Sequence, residues 1–256
     1  MRRSLALVVA ALLAGGVAAP AAAVAQTRPP DPVRAVQKQL RQGHGVRISE
    51  LAAMIDGTYS TAAARIRGQV QLSPKGPVAY DATGYSILVP YDDQETSWRA
   101  ALGGADWDDI TYVGGVTYTH EPPGSLPDGK SWIRWDWKAP EVAVFSHQAI
   151  NVFDERVLRT LLRGVTGKAV SGGYVYRGVV SHKRLGLPPT GDVKDEIHWS
   201  LWTDAKGLPT RLRTTDLVYG REPKMGLSYD TRFLDWGFPL VVTAPPADQV
   251  IDSADV

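Results

Sequence analysis

Hydrophobic positions along this chain change period three times. In "DPVRAVQKQLRQG" the apolar residues Val33, Val36 and Leu40 recur at steps of three and four, the spacing of one helix face. Asp31 stands where an N-cap belongs, Pro32 at the first helical position, and Gly43 where a helix ends. From Gly57 the period becomes two. In "AARIRGQVQLS", Ile66, Gly68, Val70 and Leu72 alternate with Arg65, Arg67, Gln69 and Gln71, the rhythm of a half-buried strand. "VAYDATGYSILVP" continues in β-type residues. "DITYVGGVTYTH" reads as a hairpin around Gly114-Gly115, and "GKSWIRWDWK" puts Ile133, Trp135 and Trp137 on one face. "SWRAALGG" fits a strand or a single helical turn.

The helical period returns once. "VFDERVLRTLLRG" has Asp154 as N-cap, Val157, Leu158, Leu161 and Leu162 on one side, and Gly164 as terminator. Phe153, just before the cap, is placed to pack on Leu158 as a hydrophobic staple. Strands follow in "GGYVYRGVVSH", "IHWSLWTDAKGLPTRLRTT", "GLSYDTRFLDWG" and "PLVVTAPP". The second of these is a hairpin turning at Lys206-Gly207, with Ile197, Trp199 and Leu201 on one face. Pro245 and Pro246 stop the last strand, and 251–256 forms a polar tail. Two helices are too few for alternating βαβ units, so the expected class is α+β with a mostly antiparallel sheet. So many strands must curl, which leaves a concave side for the helices to cover. No fixed-period repeat and no Gly/Ser linker divides the chain, so 31–250 is expected as one domain.

The first residues change the picture. "MRRSLALVVAALLAGGVAAPAAAVAQ" offers Arg2 and Arg3, an apolar run from Leu5 to Ala14, and Ala23-Val24-Ala25. This predicts a signal peptide over 1–25 with cleavage before Gln26, followed by a flexible lead-in at 26–30. Gly15, Gly16 and Pro20 interrupt the run well short of the roughly 20 residues a membrane span needs. Without 1–25 the chain keeps 26 basic and 27 acidic residues. Near neutrality argues against a general nucleic-acid binder or a polybasic membrane patch. There is no cysteine. Disulfides, thiolate chemistry, Cys-based metal sites and a lipidated cysteine are thereby excluded, and the expected location is secreted or in the cell envelope without a lipid anchor.

Candidate chemistry is sparse. None of the five histidines lies four residues from another, and no H-E-x-x-H pair occurs. "DWDD", Asp106 to Asp109, fails as a calcium loop, because Thr111 and Thr117 stand where a Gly and a Glu are required; a solvated turn at a strand start is expected. No G-x-S-x-G elbow and no phosphate-cradling glycine loop is present. The reading is non-enzymatic, with no catalytic residue, metal or cofactor. What remains is the set of rings: Trp132, Trp135, Trp137, Trp199, Trp202 and Trp236 all fall in expected strands. Ile66, Val70, Leu72, Ile133, Trp135, Trp137, Ile197, Trp199 and Leu201 on the sheet, with Leu158 and Leu161 on the second helix, form the candidate lining of an apolar cavity. Burying one methylene there contributes about 0.8 kcal/mol.

The segments "PDGKSWIRW", "NVFDERVLRTLLRG", "SLWTDAKGLPTRLRTT" and "DTRFLDWGFPLVVTAPPADQV" together resemble actinobacterial exported proteins related to the mycobacterial lipoproteins LppX and LprG, whose architecture is that of the lipoprotein carrier LolA. The resemblance implies an incomplete antiparallel barrel with helices against its hollow side, binding a lipid or another apolar molecule in the envelope. Transient contact with a membrane or an envelope protein goes with such a role. No family catalytic residue maps onto this chain, and Gln26 replaces the lipobox cysteine of many members. Two rival readings accompany the carrier: an envelope interaction module with a filled core, and a carbohydrate-binding or carbohydrate-active protein using Trp platforms with Asp106, Asp108 or Asp109.

Overall fold

The computed structural model describes residues 29–56, 59–86, 105–135, 146–187, 196–218 and 225–256. The first helix, α1 (Pro32–Gln39), starts as its sequence dictates: the Asp31 carboxylate accepts from the Val33 and Arg34 amides, and Pro32 occupies the first turn. The chain reverses at Gly43, whose φ of 75° only glycine adopts without strain. It then enters strand β1 (His44–Asp56), which the period of two beginning at Gly57 does not reach.

The chain next builds a meander: β2 (Tyr59–Ser73), β3 (Gly76–Ser86), β4 (Ala105–Val113), β5 (Val116–His120) and β6 (Trp132–Trp135). The expected Gly114-Gly115 hairpin joins β4 to β5, both glycines at positive φ. After helix α2 (Glu155–Leu162) come β7 (Lys168–Val170), β8 (Gly173–Ser181), the short helix α3 (His182–Leu185), β9 (Glu196–Asp204), β10 (Pro209–Val218) and β11 (Met225–Pro239). The expected hairpin around Lys206-Gly207 links β9 to β10. With β12 (Val250–Asp252), the twelve strands of the described residues form one sheet, ordered β12-β6-β5-β4-β3-β2-β1-β11-β10-β9-β8-β7, antiparallel at every pair except β12 with β6.

Four expectations are corrected. "PLVVTAPP" is not a strand: β11 ends at Pro239, and the Leu240 and Val242 amides bond to the Gly43 carbonyl and the Gln71 side chain instead. The closing segment is tied down, since β12 (Val250–Asp252) lies parallel to β6 and Arg134 pairs with Asp252 at 2.6 Å. "DWDD" lies inside β4, with Asp106 opposite Tyr85, and is not a turn. A third helix, α3, is present and is capped by the Ser181 hydroxyl. Trp137 and "SWRAALGG" fall outside the described residues, as do 1–28, including the expected signal peptide.

The sheet curves because its core demands it. Eight adjacent strands from β4 to β8, laid flat at about 4.8 Å spacing, would separate the outer two by roughly 34 Å. Yet Ile110 of β4 and Tyr176 of β8 belong to one contiguous buried cluster, together with Val33 and Val36 of α1, Leu158 and Leu161 of α2, and Leu185 of α3. A twisted sheet of this width curls and does not stay flat, and its hollow side wraps the helices. The result is an unclosed antiparallel half-barrel with helices on its concave face, the architecture that the LolA-like resemblance implies. Glycines permit the close strand approaches: a Cβ on Gly84 would come within 2.2 Å of the Arg65 carbonyl oxygen.

Candidate functional site

Strand register decides which predicted lining residues share a face. Directly opposed residues point the same way, so the pairs Ile133–Thr119, Thr119–Ile110, Ile110–Ala82, Ala82–Gly68, Gly68–Ile48 and Ile48–Phe233 trace one row across the hollow. Trp135, Thr117, Tyr112, Tyr80, Val70 and Val46 trace the next. A third runs Tyr176, Leu201, Leu212, Thr231, Glu50 and Ile66. Ile66, Val70, Leu72, Ile197, Trp199 and Leu201 are all buried there and meet Leu158 and Leu161 of α2 in one cluster. Ile133 is buried and Trp135 half-buried on the same face, toward the β6 edge and outside that cluster; the Trp135 indole donates to Thr119 at 2.9 Å. Trp137 is outside the described residues.

These residues pack together. Beneath the segment preceding α2 lies a void of about 20 Å³, lined in part by Ile48, Ile150, Phe153 and Phe233, room for one water. Phe153 spends its ring on Phe233 and Trp236, at centroid distances of 6.2 and 5.7 Å.

The topology produces a feature the sequence reading passed over. The chain leaves the sheet at β6 and returns as β7 at the opposite edge, with nine strands between them, so the connection has to cross the concave face. Its described part, residues 146–154, is pinned at the middle by Glu50 of β1. That carboxylate is 2 % exposed. It accepts from the His147 amide at 2.6 Å, the Thr231 hydroxyl at 2.6 Å and the Ser146 hydroxyl, with His147 Nδ1 at 3.0 Å. Gln148 continues the fastening, donating to Thr231 at 2.9 Å and the Leu212 carbonyl at 3.3 Å, and accepting from the Thr214 hydroxyl at 2.7 Å. Burial pushes the Glu50 pKa upward, but the hydrogen bonds and charge of His147, with the Ser146 and Thr231 hydroxyls, outweigh it and hold the group below the ordinary glutamate value. Ser146 donates to the carboxylate and not to the imidazole, and the lowered pKa of Glu50 makes that carboxylate a weak base for the hydroxyl proton. It is a fastener.

The larger space lies at the rim, where α1 and α2 diverge. A cleft of about 850 Å³ opens between Pro29–Arg34, the end of α2 and the loop 165–167, with the Tyr176 ring in its wall. Val33, Leu162, Val165 and three prolines give it apolar walls, and Arg34, Arg159 and Arg163 bring guanidinium groups to it. Gly167 allows the loop to lie on the tyrosine: an added Cβ would come within 2.7 Å of the ring. The Tyr176 hydroxyl donates to the Pro30 carbonyl at 3.3 Å, and burial, then the neighbouring Tyr174 and Asp31, raise its pKa. This cleft was not among the predicted site residues. Its signal was available, because the apolar residues that end the second helix sit beside Arg159 and Arg163.

The acids weighed for carbohydrate chemistry are not gathered into a described pair. Asp109 takes a hydrogen bond from Thr83 on the opposite, convex face, and the Asp106 and Asp108 side chains lie outside the described residues. Among the described residues, no group of three or more His, Asp or Glu is placed to hold a metal ion. Among them also, no helix is long and apolar enough to cross a membrane.

No family model matches the chain, and no curated protein matches it. Among solved structures, it is similar to a putative outer membrane lipoprotein-sorting protein domain from Vibrio parahaemolyticus, at 7% identity over 80% of this chain and 89% of that one, with a TM-score of 0.25. So distant a likeness bears on neither the site nor its ligand.

Proposed function

We propose that this protein is a non-enzymatic binder of a lipid or other apolar molecule, secreted or held in the cell envelope without a lipid anchor. The observation that carries this reading is the pairing of two amphipathic helices with an apolar concave sheet, with a cleft of about 850 Å³ at the rim between the helices. That volume lies within the roughly 300–1,000 Å³ of small-molecule sites. An acyl chain needs no polar chemistry to be held there, and each methylene covered contributes about 0.8 kcal/mol. The residues predicted as lining, from Ile66 to Leu201 with Leu158 and Leu161, are the surface that the chain would reach if α1 and α2 separated. The absence of cysteine agrees with an unanchored carrier, and the resemblance to LppX and LprG with the ligand class.

One observation favours a second reading. Beneath the segment preceding α2 the described core residues leave a void of water size, as an interaction module with a filled core would have it. A thermal-shift and tryptophan-fluorescence titration with fatty acids and phospholipids, after removal of bound lipid, separates the two. The carrier gains stability by mass action as ligand is added. A flat response across the panel removes the carrier reading and leaves the interaction module.

A further inference from the structure

The cleft between α1 and α2 carries more positive charge than an apolar slot needs. Asp31, the acid in its lining, is engaged at the start of α1, where its carboxylate accepts from two amides. Arg34 lies 3.6 Å from that same carboxylate with its side chain largely in solvent. Arg159 is paired with Glu155 one turn back, at 2.6 Å. Arg163 follows the last turn of α2, exposed, with no hydrogen bond or ion pair among the described residues. Around the corner of α1, Lys38 and Lys206 line an adjoining hollow of about 440 Å³. Acids thus match two of the three guanidiniums. One is left over, beside Leu162, Val165 and Tyr176. An apolar wall bordered by a surplus guanidinium is complementary to an amphiphile whose head is an anion.

We propose that the cleft takes a membrane-derived lipid with an anionic head, its acyl chain on Val33, Leu162, Val165 and Tyr176 and its head group on Arg163, assisted by Arg34 and Arg159. This rests on the apolar-binder reading and adds the chemistry of the head group. The chain gives the contact its affinity, because the guanidiniums are exposed and screened. The charges give it selectivity, and that selectivity weakens as salt is raised.

The test is equilibrium binding of the delipidated full chain to lysophosphatidylglycerol, lysophosphatidylcholine of the same chain length, and inorganic phosphate, at low and high ionic strength. The expected result is about ten-fold tighter binding of the anionic lipid than of the zwitterionic one at low salt, shrinking at high salt, with phosphate alone far weaker. Arg163→Gln is expected to lower affinity for the anionic lipid about three- to five-fold and for the zwitterionic lipid less than two-fold. Arg163→Lys should keep part of the preference. Equal binding of the two lipids, unaltered by Arg163→Gln, overturns the head-group assignment and leaves the apolar-binder reading standing. Phosphate binding as tightly as the lipid overturns the lipid assignment in favour of a free-anion site. Binding of neither lipid overturns both the inference and the reading beneath it.

Discussion

Replacing Glu50 by Gln is the sharpest perturbation of the link between sheet and crossover. The substitution keeps the shape and removes the charge. On one oxygen, the amide carbonyl can still accept from the His147 amide and Nδ1. On the other, an NH2 group now faces the hydroxyls of Ser146 and Thr231, which donate to Glu50 in the native arrangement. Both hydroxyls already accept one bond from Gln148 and keep a second lone pair for the new amide, but their own hydrogens then lose the carboxylate oxygen that took them, so a polar hydrogen is left without a partner. Hydrogen bonds to a buried charge contribute about 1.5–3 kcal/mol each, and an orphaned buried group costs about 1–3. Allowing for the burial cost that the charge itself carries, the net loss should be about 2–4 kcal/mol. For a chain of this size that is a fall in Tm of roughly 5–15 °C. Urea unfolding followed by circular dichroism at neutral pH measures it. The sign with pH is also fixed. The folded-state pKa of Glu50 lies below its ordinary value, so its stabilisation is complete above about pH 4.3 and is lost as pH falls through the folded value. The gap between wild type and Glu50→Gln should be full at pH 6–7 and should narrow below about pH 4. A variant within about 0.5 kcal/mol of wild type at pH 7, or a gap unchanged at pH 3, refutes the reasoning.

Leu201 is fully buried between β8 and β10, so Leu201→Ala should cost about 2–5 kcal/mol in denaturant unfolding, and a cost under 1 would mean that the core is not packed there. Asp154 caps α2 through the Arg156 and Val157 amides; Asp154→Ala should lower stability by about 1 kcal/mol, with hydrogen exchange rising first in the initial turn of α2. Gly84→Ala would bring its Cβ to 2.2 Å from the Arg65 carbonyl oxygen, so a loss of about 1–3 kcal/mol is expected, and an unchanged melting curve would contradict the β2–β3 register.

Much of this architecture is written locally. Asp31 and Asp154 announce both main helices, because an N-cap acts on amides two and three residues away and needs nothing distant. The alternation in β2 and β9 is legible since each has one face on the core, with Ile197, Trp199 and Leu201 inward. Strand β1 escaped for the opposite reason. Its inward positions Val46, Ile48, Glu50 and Ala52 include an acid, while Leu51 is exposed on the other face and Met54 is exposed near the strand's end, so its hydrophobic contrast is broken. Glu50 reads as surface until a strap of chain supplies its donors, and that strap arrives from about a hundred residues later. "PLVVTAPP" fails likewise, because its amides find Gly43 and Gln71 and not a neighbouring strand. Register across the sheet, which puts Ile133 and Ile66 on one concave surface, is a property of pairing and not of any single segment.

Native mass spectrometry of the protein purified gently from its own host tests the central claim most directly, since it weighs the chain together with whatever it holds. The account predicts a population heavier than the mature polypeptide by one lipid-sized mass, released on organic extraction and restored on adding the extract back. A spectrum showing only the bare polypeptide, before extraction and after incubation with the host's lipid fraction, would contradict it.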